Sequence, residues 1–132
     1  MEPNETYTVL IIEDNAAMME ALSTTLEAAD YKVIKSSDGE SGLVDALHKH
    51  PDIVLLDLKL PRLNGTKLLS RLRDDPWGMS VPVIVLTNED DVETIMETVK
   101  NTAQGYFIKA DTDLQVIVES VQDAIRQTRL RK

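Results

Sequence analysis

The sequence predicts a single α/β domain: a doubly wound, five-stranded parallel sheet of order 2-1-3-4-5 with helices on both faces. Three observations predict it. Four short apolar runs, Val9–Ile12, Ile53–Leu56, Val83–Leu86 and Tyr106–Ile108, are continuous rather than alternating, as strands buried on both faces are. Helix-like stretches lie between the strand-like runs, and strict β-α alternation with short loops implies right-handed crossovers. Each apolar run also stops at a polar residue: Glu13-Asp14, Asp57, Thr87 and Lys109. Open parallel sheets bind ligands at the carboxyl ends of their strands, so these residues should meet on one edge.

In chain order, strands are expected near 8–12, 32–36, 52–56, 82–86 and 105–109. The second, Lys32-Val33-Ile34-Lys35, is mixed in polarity and belongs at a sheet edge. Helices are expected near 15–28, 39–49, 65–75, 91–102 and 112–129. The first places Met18, Leu22, Leu26 and Ala29 on one face. Gly39 and Asn64-Gly65 punctuate the entries to the second and third, and Pro51 closes the second. In the last helix Thr112 and Gln115 have capping-box spacing, Asp113 between them suits the positive helix start, and Leu114, Ile117, Val118, Val121 and Ile125 form the buried stripe. In the order 2-1-3-4-5 the first and third strands are neighbours, so Asp14 and Asp57 should lie side by side, with Thr87 and Lys109 farther along.

Composition narrows the function. The 132 residues suit one domain, with a core over about 7–129 and no output domain expected after the last helix. A net charge of −9 argues against nucleic acid as the main partner. Four cations in the last seven residues, Arg126, Arg129, Arg131 and Lys132, read as a solvated helix end. Absence of cysteine excludes disulfides and thiolate metal sites. No apolar run approaches the roughly 20 residues of a membrane span, and the acidic start, Met1-Glu2-Pro3-Asn4-Glu5, carries no apolar leader. A cytoplasmic location is the expectation.

Three clustered carboxylates repel one another by several kcal/mol at a protein-like dielectric. Mg²⁺ answers that cost, since it prefers oxygen ligands and typically takes one or two carboxylates plus substrate phosphate. Asp14 and Asp57 are the expected direct ligands, with a backbone carbonyl near Lys59; Glu13, one carbon longer, acts through water. Asp57 is the candidate nucleophile, able to form an acyl phosphate. Lys109 would stabilise charge on the transferred oxygens, and Thr87 would donate its hydroxyl to one of them.

The chain resembles the receiver domains of two-component response regulators, specifically the single-domain CheY-like type. The resemblance covers residues 7–129. It rests on Glu13-Asp14, on Asp57-Leu58-Lys59-Leu60-Pro61-Arg62-Leu63-Asn64-Gly65, on Thr87 and on Gly105-Tyr106-Phe107-Ile108-Lys109, in that order and spacing. It implies that a histidine kinase or histidine phosphotransfer protein donates a phosphoryl group to Asp57, and that the domain catalyses this transfer and the later hydrolysis without being a metabolic enzyme. It also implies that Thr87 moves toward the phosphoryl group while Tyr106 rotates inward, switching a face at roughly 91–125 that docks an unnamed protein target or pairs two copies. Tyr106 by itself reads equally as a strand-end tyrosine with a wet hydroxyl.

One position departs from the pattern: receivers usually follow the lysine with a cis proline, and here Ala110 stands there. A non-proline cis bond costs about 2.5–4 kcal/mol, so a trans Lys109–Ala110 bond is expected. Asn88 is larger than the small residue usual after the threonine. With Lys59 it should restrict the site and slow turnover of the phosphorylated form.

His48 and His50 read as a solvated helix end on the far edge, Trp77 as loop packing, and Asp74-Asp75 and Glu89-Asp90-Asp91 as solvated faces. A haloacid dehalogenase-class phosphatase wants an acid where Lys59 stands. A flavodoxin-like flavin site wants Ser, Thr or Gly where Glu13-Asp14-Asn15 stand. The remaining alternative is a pseudo-receiver, a scaffold that is never phosphorylated.

Overall fold

The computed structural model describes residues 6–88, 103–109 and 112–130. It contains strands β1 (Thr8–Ile12), β2 (Lys32–Ser36), β3 (Ile53–Asp57), β4 (Val83–Thr87) and β5 (Gly105–Ile108). Helices α1 (Ala16–Ala28), α2 (Gly39–Lys49) and α3 (Gly65–Arg73) and a C-terminal helix (Leu114–Leu130) complete the described elements. The helix expected at 91–102, the Glu89-Asp90-Asp91 run and Ala110 lie outside the described residues. So do the expectations that fall on them, the bond preceding Ala110 and the 91–102 and 110–111 parts of the 91–125 face.

All five strands are parallel, in the order β2-β1-β3-β4-β5. β2 takes the predicted edge, where Lys32 and Lys35 reach solvent. Because successive strand residues point to opposite faces, the sheet divides its apolar side chains between two cores. Val9, Ile11, Ile53, Leu55, Ile84 and Leu86 pack beneath α1 and the C-terminal helix. Leu10, Ile12, Val54, Leu56, Val83 and Val85 pack beneath α2 and α3. With both faces covered, β3 and β4 need continuous apolar runs, and every residue in them is buried.

Helix starts follow local capping chemistry. Side-chain oxygens of Asn15, Asp38 and Asn64 accept the backbone N–H of Met18, Ser41 and Lys67, as N-cap residues do. Three details correct the sequence expectations. Met19, rather than Met18, is the deeper methionine of α1, and Met18 is only half-buried. Of the residues expected to start the C-terminal helix, Asp113 does so rather than the Thr112 side chain, its Oδ1 accepting from Gln115 N at 2.8 Å. The Thr112 hydroxyl turns back and donates to the Ile108 carbonyl at 2.8 Å, tying this helix to β5.

On the far edge of the sheet His50 ends α2 in a left-handed conformation (φ 47°) and stacks on Trp77, ring centroids 4.3 Å apart. Asp75, expected to be merely solvated, accepts the Gly78 N–H at 2.8 Å and shapes the loop into β4.

Candidate phosphoacceptor site

At the carboxyl edge of the sheet, backbone geometry sets each side chain before any ligand is considered. The Glu13 N–H donates to the Ser36 carbonyl at 3.0 Å, carrying the β1–β2 ladder one residue past the strand. The Glu13 side chain is consequently 1% exposed, while its neighbour Asp14 faces solvent. Glu13 Oε2 accepts the Asn15 N–H at 3.0 Å. Asp57, the last residue of β3, is 2% exposed, and its Oδ1 accepts the Lys59 N–H at 3.1 Å.

Lys109, one residue past β5, bridges the two buried acids. Its Nζ lies 2.9 Å from Asp57 Oδ2 and 2.6 Å from Glu13 Oε1. The first contact is a hydrogen-bonded ion pair; the second is close but lacks hydrogen-bond alignment at Oε1. Oxygens of Glu13, Asp14 and Asp57 lie within 4.8 Å of one another. At that spacing each like-charged pair repels by about 3–4 kcal/mol at an effective dielectric near 20.

Titration behaviour reflects the crowding. Burial pushes the Glu13 carboxyl above its ordinary value, and Asp57 adds to this, while the Lys109 ammonium and the Asn15 N–H pull the other way. Burial alone would lower Lys109, but its close contacts with the Glu13 and Asp57 carboxylates carry it above the ordinary lysine value.

Three carboxylates against one ammonium leave a net of two negative charges, which a divalent cation would balance. Oxygen donors of this type suit Mg²⁺, and the cluster can hold a metal ion. The acids open into a cleft of about 980 Å³ whose polar side includes Asp14, Asp57, Lys59, Asn88 and Lys109.

A family model for the response regulator receiver domain matches residues 9–122, most of the chain and all of this site. The chain belongs to the response regulator receiver domain family. This receiver is 32% identical over 120 residues to the DNA-binding dual master transcriptional regulator RpaA of Synechocystis, covering 91% of the chain and 49% of RpaA. It is 31% identical over 101 residues to PilH of Pseudomonas aeruginosa, covering 76% of the chain and 84% of PilH. The chain spans about half the length of the first curated relatives it matches. Among solved structures, a CheY-like receiver domain protein of Methanospirillum hungatei superimposes with a TM-score of 0.87 at 20% identity, over 97% of this chain and 100% of that one. The receiver domain of the P. aeruginosa sensor histidine kinase PA1611, with magnesium coordinated in its active-site cleft, does so at 0.83 and 23% identity, over 92% and 98%.

The fold therefore brings Glu13, Asp14, Asp57 and Lys109 of the receiver together on one edge, with Lys59 and Asn88 beside them. Thr87 ends β4, fully buried, and its hydroxyl donates to the Asn88 carbonyl at 3.1 Å instead of to a carboxylate. The Tyr106 ring is 38% exposed. Sequence reasoning missed the apolar side of the cleft, formed by Ala17, Met18 and Ala21 of α1 and by Leu114. The signal was present as small residues directly after Asn15, but the helical period assigned Met18 wholly to the core.

Proposed function

We propose that this receiver accepts a phosphoryl group on Asp57 from a phosphohistidine of a histidine kinase or histidine phosphotransfer protein, in a Mg²⁺-dependent reaction. The reading is carried by one observation: a buried strand-end carboxylate held between a lysine ammonium and two further acids, at the floor of an open cleft. A carboxylate oxygen of Asp57 forms a bond to phosphorus, the phosphorus–nitrogen bond breaks, and the imidazole nitrogen leaves with the electron pair. Water later attacks the same phosphorus, returning the carboxylate and releasing inorganic phosphate. Bound Mg²⁺, held by Asp14, Asp57 and the Lys59 carbonyl with Glu13 behind through water, would neutralise charge on the transferred oxygens. Lys109 already lies at hydrogen-bonding distance from Asp57 Oδ2, where it can follow a phosphoryl oxygen. The donor would approach over Ala17, Met18, Ala21 and Leu114.

Signalling follows from what the side chains must give up. The Thr87 hydroxyl has to leave the Asn88 carbonyl to reach a phosphoryl oxygen, vacating space into which the exposed Tyr106 ring rotates. The two packings form a bistable element biased by one local charge change. The altered face, strand 105–108 with its flanking segments in 91–125, docks a protein target or a second copy. Receiver domains are signalling domains rather than metabolic enzymes. Among the described residues no helix is long and apolar enough to cross a membrane, and the proposed setting is cytoplasmic.

The test is direct. Incubation with a small acyl-phosphate donor and Mg²⁺ should add one phosphate to the intact mass. Omitting Mg²⁺ or introducing Asp57→Asn should abolish the adduct. No adduct from the parent protein with either a small donor or a phosphohistidine donor overturns the reading in favour of an unphosphorylated scaffold.

A further inference from the structure

The loop joining β3 to α3 contains a strained residue that the chemistry above does not use. Arg62 has φ 71°, in the left-handed region that a side chain disfavours. The Leu63 N–H donates to the Pro61 carbonyl at 2.8 Å, closing a three-residue γ-turn around Arg62, a rare and strained form when the central φ is positive. That strain persists because α2 grips the turn from outside. The same Pro61 carbonyl accepts the Gly39 N–H at 3.2 Å. Arg62 Nε lies 3.9 Å from Oδ2 of Asp38, the residue that caps α2. Gly39 approaches so closely that a Cβ there would sit 1.7 Å from the Leu63 carbonyl oxygen. Three residues upstream of Arg62, this loop carries Lys59, whose N–H is fixed on Asp57 Oδ1.

We propose that Arg62 is a positioning residue: its γ-turn, clamped by Asp38 and Gly39 at the start of α2, holds the 58–63 loop in the shape that presents the Lys59 carbonyl to the metal. The inference rests on the Mg²⁺ site described above and extends it to α2, which supplies no ligand. A loop held by an over-determined turn is already ordered before the metal arrives, so binding does not carry the cost of ordering it.

The experiment measures Mg²⁺ affinity by calorimetry and Tm for the parent, Arg62→Gly, Asp38→Asn and the double variant. Glycine accepts φ 71° without strain, and asparagine keeps the cap while losing the charge facing Arg62. Arg62→Gly should bind Mg²⁺ about threefold more weakly with an unchanged or higher Tm, a split that lost packing would not give. Asp38→Asn should weaken binding in the same direction, and the double variant should be no weaker than Arg62→Gly, because both changes break one contact. Parental affinity in Arg62→Gly, additive losses, or a loss that tracks a falling Tm overturns the proposal. A parent that binds no Mg²⁺ overturns this and the phosphoacceptor reading together; parental binding with an unaffected Arg62→Gly overturns this one alone.

Discussion

Lys109 is the residue on which the unliganded site balances. It faces both buried acids, and removing it as Lys109→Met would leave Glu13 and Asp57 without their shared counter-ion. Breaking a fully buried pair costs 3–5 kcal/mol; discounted for the partial solvent access here, a loss of roughly 2 kcal/mol is expected at neutral pH. The raised Lys109 means that its stabilisation is complete below the ordinary lysine value and is lost as pH rises through the higher folded value. Glu13 is also raised, so the folded state holds its proton more tightly than the unfolded chain does. Its favourable share is present in acid and fades as pH rises from the ordinary carboxylate value through the folded one. Denaturant titrations across pH should show the Lys109→Met deficit shrinking in acid and the alkaline limb vanishing. A deficit independent of pH would contradict this assignment. At the neighbouring Asn88, which lines the cleft, Asn88→Ala should shorten the acyl-phosphate lifetime severalfold by admitting water; an unchanged or longer lifetime contradicts it.

Among the elements, the turn from β3 into α3 couples helix geometry to the nucleophile most tightly. A Cβ on Gly65 would lie 2.5 Å from Leu58 Cα and 2.6 Å from the Asp57 carbonyl oxygen, both backbone atoms that cannot swing aside. Gly65→Ala should therefore move Asp57 as well as destabilise the fold, lowering phosphodonor reactivity beyond what the fall in Tm accounts for. Asn64→Ala, which removes the cap on Lys67 N and the acceptor of the Thr66 hydroxyl, should cost about 1 kcal/mol with reactivity kept; equal reactivity losses in the two variants would refute the distinction. This scale also shows how much was legible in the sequence. Strand positions and order were readable because runs such as Ile53–Leu56 must be apolar on both faces. Convergence of Asp14, Asp57 and Lys109 followed from parallel topology alone. Residues whose role depends on three-dimensional neighbours were not readable. The burial of Glu13 against Lys109, with its backbone N–H in a ladder bond to Ser36, is one such placement. Nor does the local pattern at Arg62 disclose a positive φ, since a clamp from α2, over twenty residues upstream, sustains it.

For the whole molecule, a net charge of −9 surrounds a site that itself carries an excess of carboxylates. Small anionic phosphodonors meet a repelling field, which added salt screens over about 10 Å at 0.1 M. The initial rate of labelling by such a donor, measured at fixed saturating Mg²⁺, should rise with ionic strength; a falling rate would show that local attraction at the cleft dominates instead. A phosphotransfer protein with basic residues around its histidine should show the opposite salt dependence.

The stacked His50–Trp77 pair carries a practical consequence. Trp77 is the sole indole in the chain and sits at the end of the sheet opposite the carboxylates. Its fluorescence therefore monitors global melting without direct quenching from chemistry at Asp57. Any emission change on adding a phosphodonor would have to arrive by a rearrangement transmitted along the length of the strands, making one native chromophore a long-range strain gauge.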